Sequence, residues 1–474
     1  MMSHILRFSL AVLVCTLLIA GATAQKKAAT KPADQAAQPA AAKVPVVNFK
    51  DLKLKNGLRI LLVEDHSAPV ISLALIYDVG SRNEKQGRTG FAHLFEHMMF
   101  QGSENVGKSE HFMLIDNNGG QMNGTTNEER TLYFETLPAN QLDLALFLEA
   151  DRMKGLDISK ENLDNQRNAV QEERRLRLDN QPYGKAFEKF GETMYDNFNY
   201  KHSVIGSMDD LNASSVEDVR DFFRIYYAPN NAVMALVGDF KEAEALTKIK
   251  KYFEAIPAQP KPPAVDAVEP PQTAERRFTH DDPLAQLTML MIGYKTPLGN
   301  TTDAYALSVL GSVLGSGQSS RLYQKMVKEK QLVLNINSGA SSRRGPGSFS
   351  IQAMVAPGKK SEEVEAAIYE EITRVQQEGI ADWELEKART NQRRGSIQSR
   401  QSSMGLAMSL AGNAVMYNDP HLTNTQLSKM MAVTKEDVQR VAKTYLQATN
   451  RTVGIAVPKP KTMSGPPTAS GQNK

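Results

Sequence analysis

Two distant stretches of this chain follow one pattern. FFRIYYAPNNAVMALVGDF (222–240) and RVAKTYLQATNRTVGIAVP (440–458) each run from a helix through a short asparagine-containing turn into an apolar strand. The elements ahead of them also recur in order: strands, a helix, a strand pair, then further helices. Unless that order is coincidence, the chain is limited to two copies of one plan. Each copy is expected to be an α+β sandwich, with helices packed on a mostly antiparallel sheet. The 474 residues suffice for two or three domains.

Composition marks the boundaries. Residues 1–24 read as a signal peptide, with Arg7 in a short basic start, an apolar run over 8–20 and the small-residue pattern Ala22-Thr23-Ala24. The run is short for a spanning helix; an uncleaved anchor is the alternative. Residues 25–46 are rich in Ala, Lys and Pro and read as a flexible leader. One domain is expected over 47–254 and a second over 275–460. A proline-dense linker at 255–274 joins them, and a loose tail occupies 461–474.

Within the first domain, LKLKNGLRILLVED reads as a hairpin turning at Asn56-Gly57. GGQMNGTTNEER reads as a loop feeding a strand that ends at Pro138, and QLDLALFLEADRM as an amphipathic helix. A long helix follows over 159–178. In the second domain QLTMLMIGYKTP is the first strand, with others at 333–341 and 347–355. Helices are expected at 361–378, 382–410 and 423–446.

Charge and cysteine content remove several functions. The formal net charge is +3, and no Lys/Arg stripe is interleaved with aromatics, so nucleic acid is not an expected partner. Cys15 is the only cysteine and leaves with the signal. No disulfide and no thiolate ligand is then available. Any metal must be held by His, Asp or Glu. Beyond the signal, no run is apolar enough to span a membrane.

FAHLFEHMMF (91–100) offers such ligands. His93 and His97 are four apart, so both imidazoles share one helix face, and Glu96 lies beside them. Two imidazoles so spaced can bind one zinc ion, and the carboxylate can take a proton from a zinc-bound water. The bland alternative is two core histidines beside a surface acid. A catalytic zinc takes three protein ligands. NLDNQRNAVQEERRLRLDN offers Glu172 and Glu173, which point apart on a helix. Gln166, Ala169 and Glu173 form a stripe, which favours Glu173 for the metal; Glu172 then pairs with the arginines at 174–177. Exposure of both acids is the alternative.

At these residues the chain resembles the pitrilysin/insulinase family of zinc peptidases, which includes the mitochondrial processing peptidases. The resemblance rests on GRTGFAHLFEHMMFQGS, NGTTNEERTLYF and RNAVQEE, in that order and separation. It implies two homologous sandwich domains of the LuxS/processing-peptidase type. It implies His93, His97 and Glu173 as ligands of one zinc ion and Glu96 as general base. An acid that supports the distal ligand in many members falls on Gln166 here. Gln166 and Glu172, and also Glu149, are the candidates for supporting the ligands. Asn123 matches a position contacting substrate backbone, and the stretch 120–127 would be an edge strand that takes a peptide as an added β-strand.

One departure concerns catalysis. Family members carry an Arg and a Tyr in their C-terminal half that steady the substrate and the oxyanion. The matching positions are Val327 and Leu334, while Arg321 and Tyr323 belong to a structural SRLY segment. The resemblance therefore implies a zinc endopeptidase acting on short or unfolded peptides. A homologous subunit would supply the missing pair, with a homodimer as the other arrangement. The rival function is a non-catalytic assembly subunit. The signal peptide implies a periplasmic or secreted location. His202 is expected to be structural, and Trp383 to pack in the core.

Overall fold

Alternation of apolar residues begins the first sheet. The computed structural model describes residues 44–459. The expected signal peptide, most of the leader and the whole tail lie outside the described residues. The strands β1 (Lys50–Lys53) and β2 (Arg59–Glu64) pair antiparallel around the Asn56-Gly57 turn. Gly57 has φ +93°, and a Cβ there would meet Asn230 at 2.6 Å. With β3 (Val70–Tyr77), β4 (Gln121–Thr126), β5 (Thr131–Pro138) and β6 (Ala232–Gly238) they form a six-stranded sheet ordered β1-β2-β6-β3-β5-β4. The second sheet contains β7 (Arg276–Asp282), β8 (Met289–Thr296), β9 (Val333–Ser341), β10 (Gly347–Val355) and β11 (Arg451–Pro458), ordered β7-β11-β8-β10-β9.

The two sheets repeat one topology. β2–β6 and β7–β11 are the parallel pairs, and every other pairing is antiparallel. The repeated turns also work alike. Asn231 Nδ2 donates to the carbonyls of Tyr226 (2.8 Å) and Asp78 (3.3 Å). Asn450 Nδ2 donates to those of Tyr445 (2.8 Å) and Lys295 (2.9 Å). In both halves the asparagine ties the end of a helix to the start of the last strand and to its neighbour. The repeated topology is thus present in both halves.

The halves exchange helices. Helix Ser403–Tyr417 lies across the outer face of the first sheet, where Leu406, Ala407, Leu410 and Ala411 pack on Leu61, Ala74, Ile76 and Val237. The alanines let the helix approach closely, and each fully buried leucine contributes about 1.5–3 kcal/mol. Helix Gly184–Met194 of the first half returns the arrangement, with Ala186 and Phe190 packed by Met291 and Ala456. Arg344 adds a polar clamp to Asp78 (2.5 Å) and Glu129 (3.0 Å). The linker is bound too: Glu269 accepts the backbone N–H groups of Asp196 and Asn197.

Several expectations need correction. The loop read over GGQMNGTTNEER contains the edge strand β4, as the resemblance implied for 120–127, and β7 was not foreseen. The helix expected over 382–410 is two, Asp382–Gln398 and Ser403–Tyr417, because Ser402 caps a new start by accepting from Gly405 N at 3.0 Å. The helix over 423–446 is likewise divided by the Thr434/Asp437 capping box. Helix Leu142–Lys154 is buried on most sides rather than amphipathic. Trp383 is 58% exposed, since its helix turns Glu384, Leu385 and Ala388 inward instead. Among the described residues, no helix is long and apolar enough to cross a membrane.

Candidate metal centre

Helix α1 (Phe91–Met98) begins at Gly90, whose φ of +84° suits glycine. Its residues Phe91, Ala92, Leu94, Phe95 and Met98 are buried. Phe95 packs on Tyr227 and Phe223, with ring centroids 4.1 and 5.7 Å away. That apolar face sets the helix rotation, so His93, Glu96 and His97 share the remaining face. Helix α2 (Glu110–Asn117) follows, then α3 (Leu142–Lys154) and α4 (Lys160–Arg174). Ser159 caps α4 by accepting from Asn162 N, and Leu163 and Val170 anchor it in the core.

The two helices bring three side chains together. Glu173 Oε2 lies 3.7 Å from His93 Nε2 and 3.2 Å from His97 Nε2. One ligand atom from each residue falls within 4.8 Å of the others. Gln166 Oε1 is 3.3 Å from His97 Nδ1, and Gln166 Nε2 donates to Asn165 Oδ1, which orients the amide. When Nδ1 donates to that amide, the ring's Nε2 lone pair faces the Glu173 carboxylate. Two lone-pair atoms at 3.2 Å repel unless a cation lies between them, so this donor set fits a divalent ion.

Burial and neighbouring charge act on two of the three groups. Burial pushes the His93 imidazole down to about 4, helped by His97. Where His97 Nε2 carries the proton instead, its hydrogen bond holds Glu173 below the usual carboxylate range, and His93 and Arg177, whose Nη1 is 2.6 Å away, add to this. Arg177 stands on a π-helical turn, Arg175–Asp179, that continues α4.

Glu96 sits beside the triad in a different setting. Burial raises its pKa, opposed by the hydrogen bond from Thr126 Oγ1 to Oε2 at 2.6 Å. A carboxylate with a raised pKa is suited to take and return a proton. Thr126 and Gly124 lie on β4, within the stretch expected to take substrate, but their contacts with Glu96 were not foreseen. A Cβ at Gly124 would lie 3.1 Å from Glu96 Cγ and 3.4 Å from Phe100. Gly124→Val is therefore expected to displace Glu96 from Thr126, while the edge strand tolerates the β-branched residue and Tm holds. A crystal structure of the variant beside a thermal melt checks this.

The other site residues divide. Asn123 stands exposed on β4, its Oδ1 accepting from Gly124 N at 2.8 Å. β4 pairs only with β5, so its outer edge is free among the described residues. Glu172 does not support the ligands: it is exposed and bound to Arg175 at 3.0 Å, because adjacent helix positions point about 100° apart. Glu149 is equally distant in role. It belongs to a buried group with His111 and Glu135, and Arg152 Nε binds it at 2.9 Å. That guanidinium, 4.2 Å over the Tyr133 ring, supplies the group's positive charge. Arg321 pairs with Glu384 through two 2.6 Å bonds. Val327 packs on the second core, and Leu334 is exposed.

Comparisons point in one direction. Residues 59–207 match the family profile described as Insulinase (Peptidase family M16), and residues 214–392 the one described as Peptidase M16 inactive domain. The chain is similar to zinc protease PqqE of Helicobacter pylori, 30% identical over 412 residues that span 86% of this chain and 93% of that protein. A protease from Helicobacter pylori with a solved crystal structure has the same fold, with TM-score 0.84, 30% identity and coverage of 87% of this chain and 100% of that one. The fold also matches the periplasmic protease PqqL from Escherichia coli, with TM-score 0.72 at 18% identity. The match covers 88% of this chain and 48% of that longer one.

Proposed function

This chain belongs to the M16 (insulinase) peptidase family, and on that premise we propose that it is a zinc-dependent endopeptidase for short or unfolded peptides. The supporting observation is the meeting of His93, His97 and Glu173 at one point, with Glu96 alongside and the free edge of β4 in front. His93 and His97 through Nε2, and Glu173 through its carboxylate, would hold the ion. Zinc, when bound, supplies Lewis-acid polarisation of the scissile carbonyl and a more acidic water.

The chain's own groups perform the rest. The edge of β4 pairs with an extended peptide and sets its register, and the exposed Asn123 amide reaches the peptide backbone. The Glu96 carboxylate takes a proton from the attacking water and returns it to the leaving amine as the C–N bond breaks. Thr126 holds Glu96 in place between those two transfers. Folded proteins cannot offer an extended segment to this edge and are poor substrates.

The oxyanion needs further donors. Val327 and Leu334 have none, so a second subunit of the family is proposed to bring an Arg and a Tyr; a homodimer is the other arrangement. The purified chain alone is expected to turn over an unfolded peptide about 10²–10³-fold more slowly than it does with its co-purifying homologue. Full activity of the monomer rules out the two-chain arrangement. A non-catalytic role is the rival reading. The profile with "inactive" in its description begins at residue 214, beyond all four residues of the centre, so it does not bear on them. We place the enzyme in the periplasm or outside the cell, in keeping with the signal-like start.

A further inference from the structure

One loop touches both helices of the centre, and a buried ion pair lies at its root. Glu84 is shielded from solvent, and its two carboxylate oxygens accept from Gly90 N (2.9 Å) and Ala92 N (2.8 Å). These are free N–H groups at the start of α1, whose capping glycine has no side chain to satisfy them. The negative charge also lies at the positive end of the helix. α1 has only eight residues, so its first turn is half of it.

His202 neutralises that carboxylate. Its Nε2 lies 2.9 Å from Glu84 Oε2 and 3.0 Å from the Ser81 carbonyl, and its Nδ1 lies 2.8 Å from the Phe198 carbonyl. Every neighbour of both nitrogens is an acceptor, so the ring carries both protons. Burial opposes that charge, but Glu84 and the carbonyls outweigh it. The Phe198 ring stacks on the imidazolium at 4.6 Å.

The loop continues from His202 across the gap between helices. Gly206 abuts Gly90, where a Cβ would fall 2.4 Å from the Gly90 Cα. Asp210 accepts from Thr89 N (3.0 Å) and from its hydroxyl, and Thr89 Oγ1 accepts from Ser207 N (3.1 Å). On the other side Arg174, adjacent to Glu173, donates to the Gly206 carbonyl at 2.6 Å. Gln171 donates to Asn212 (2.8 Å), and Arg167 to the Ser214 carbonyl (2.7 Å).

We infer that Glu84 and His202 are positioning residues, holding the start of α1 on the 202–214 loop and so fixing His93, Glu96 and His97 against Glu173. This rests on the zinc peptidase reading. A triad split between two helices needs such a common mount, since ligand geometry tolerates only about 0.5 Å of error.

The test uses the full chain with Glu84→Gln, His202→Gln and the double variant. The readouts are zinc affinity by chelator competition and kcat and KM on an unfolded peptide. Each single change is expected to weaken zinc binding by about ten- to a hundredfold and to lower kcat more than it raises KM. The double variant, whose two amides can pair again, is expected to lose less than the sum. Val438→Ala, in the second core, calibrates what lost stability does by itself. If a variant at 84 or 202 does not fold, Asp210→Asn tests the same mount and is expected to weaken zinc binding at least threefold. Zinc affinity within twofold of wild type in the folded variants, with only Tm lowered, overturns the inference. Wild-type chain that binds no zinc overturns the peptidase reading instead.

Discussion

Glu96→Gln is expected to cripple the proposed peptide hydrolysis and to leave zinc in the protein. The amide has nearly the same shape, and its oxygen can still accept from Thr126, which bonds the carboxylate at 2.6 Å. Helix α1 keeps its rotation, because the buried face around Phe95 sets it. The amide cannot take a proton from water near neutral pH, however, and has none to return to the leaving amine. The expected loss in kcat is about 10²–10⁴-fold, with an unchanged zinc-to-protein ratio. Turnover on an unfolded peptide beside metal analysis of the same sample reads both. A variant that works at near wild-type speed with zinc bound would remove Glu96 from the reaction.

Glu173→Gln has the second large effect, on the metal itself. The change removes the negative charge that lies within 3.7 Å of both histidine Nε2 atoms, and it leaves the Arg177 guanidinium, now 2.6 Å from a neutral amide oxygen, without its counter-charge. A guanidinium freed beside the triad then repels a cation. Zinc affinity is expected to fall by more than about a hundredfold, beyond the range for residues that only support a ligand. Glu172→Gln, one residue away, is expected to leave zinc binding unchanged, because Glu172 faces solvent and Arg175. Competition titrations of the two variants separate a ligand from its neighbour in sequence. Equal affinities would dissolve the proposed centre.

Much of the site was legible because helices impose a short period. The four-residue spacing of His93 and His97, and the stripe of Gln166 and Glu173, could be read as faces. Gln166 indeed reaches His97 Nδ1. Strands with clear alternation, such as 333–341 and 347–355, were equally legible. β4 was not. QMNGTT is polar and glycine-containing, and it is a strand because β5 offers it a ladder while Asn127 folds the turn by accepting from Glu129 N and Arg130 N. The helix break at 399–402 has no proline or glycine to announce it; Ser402 makes it by capping the next helix.

Local periodicity therefore determined which side chains share a face, and so which could act together: the His93/Glu96/His97 face, the Glu173 face and the plan used twice. Only the tertiary structure decided that these faces meet, that Thr126 and Gly124 close on Glu96, and that each half covers the other's sheet with a helix. Those contacts join residues far apart in the chain, as with Glu84 and His202 at a separation of 118 positions. A short-range repeat carries no information about such pairs; the packing of whole elements selects them.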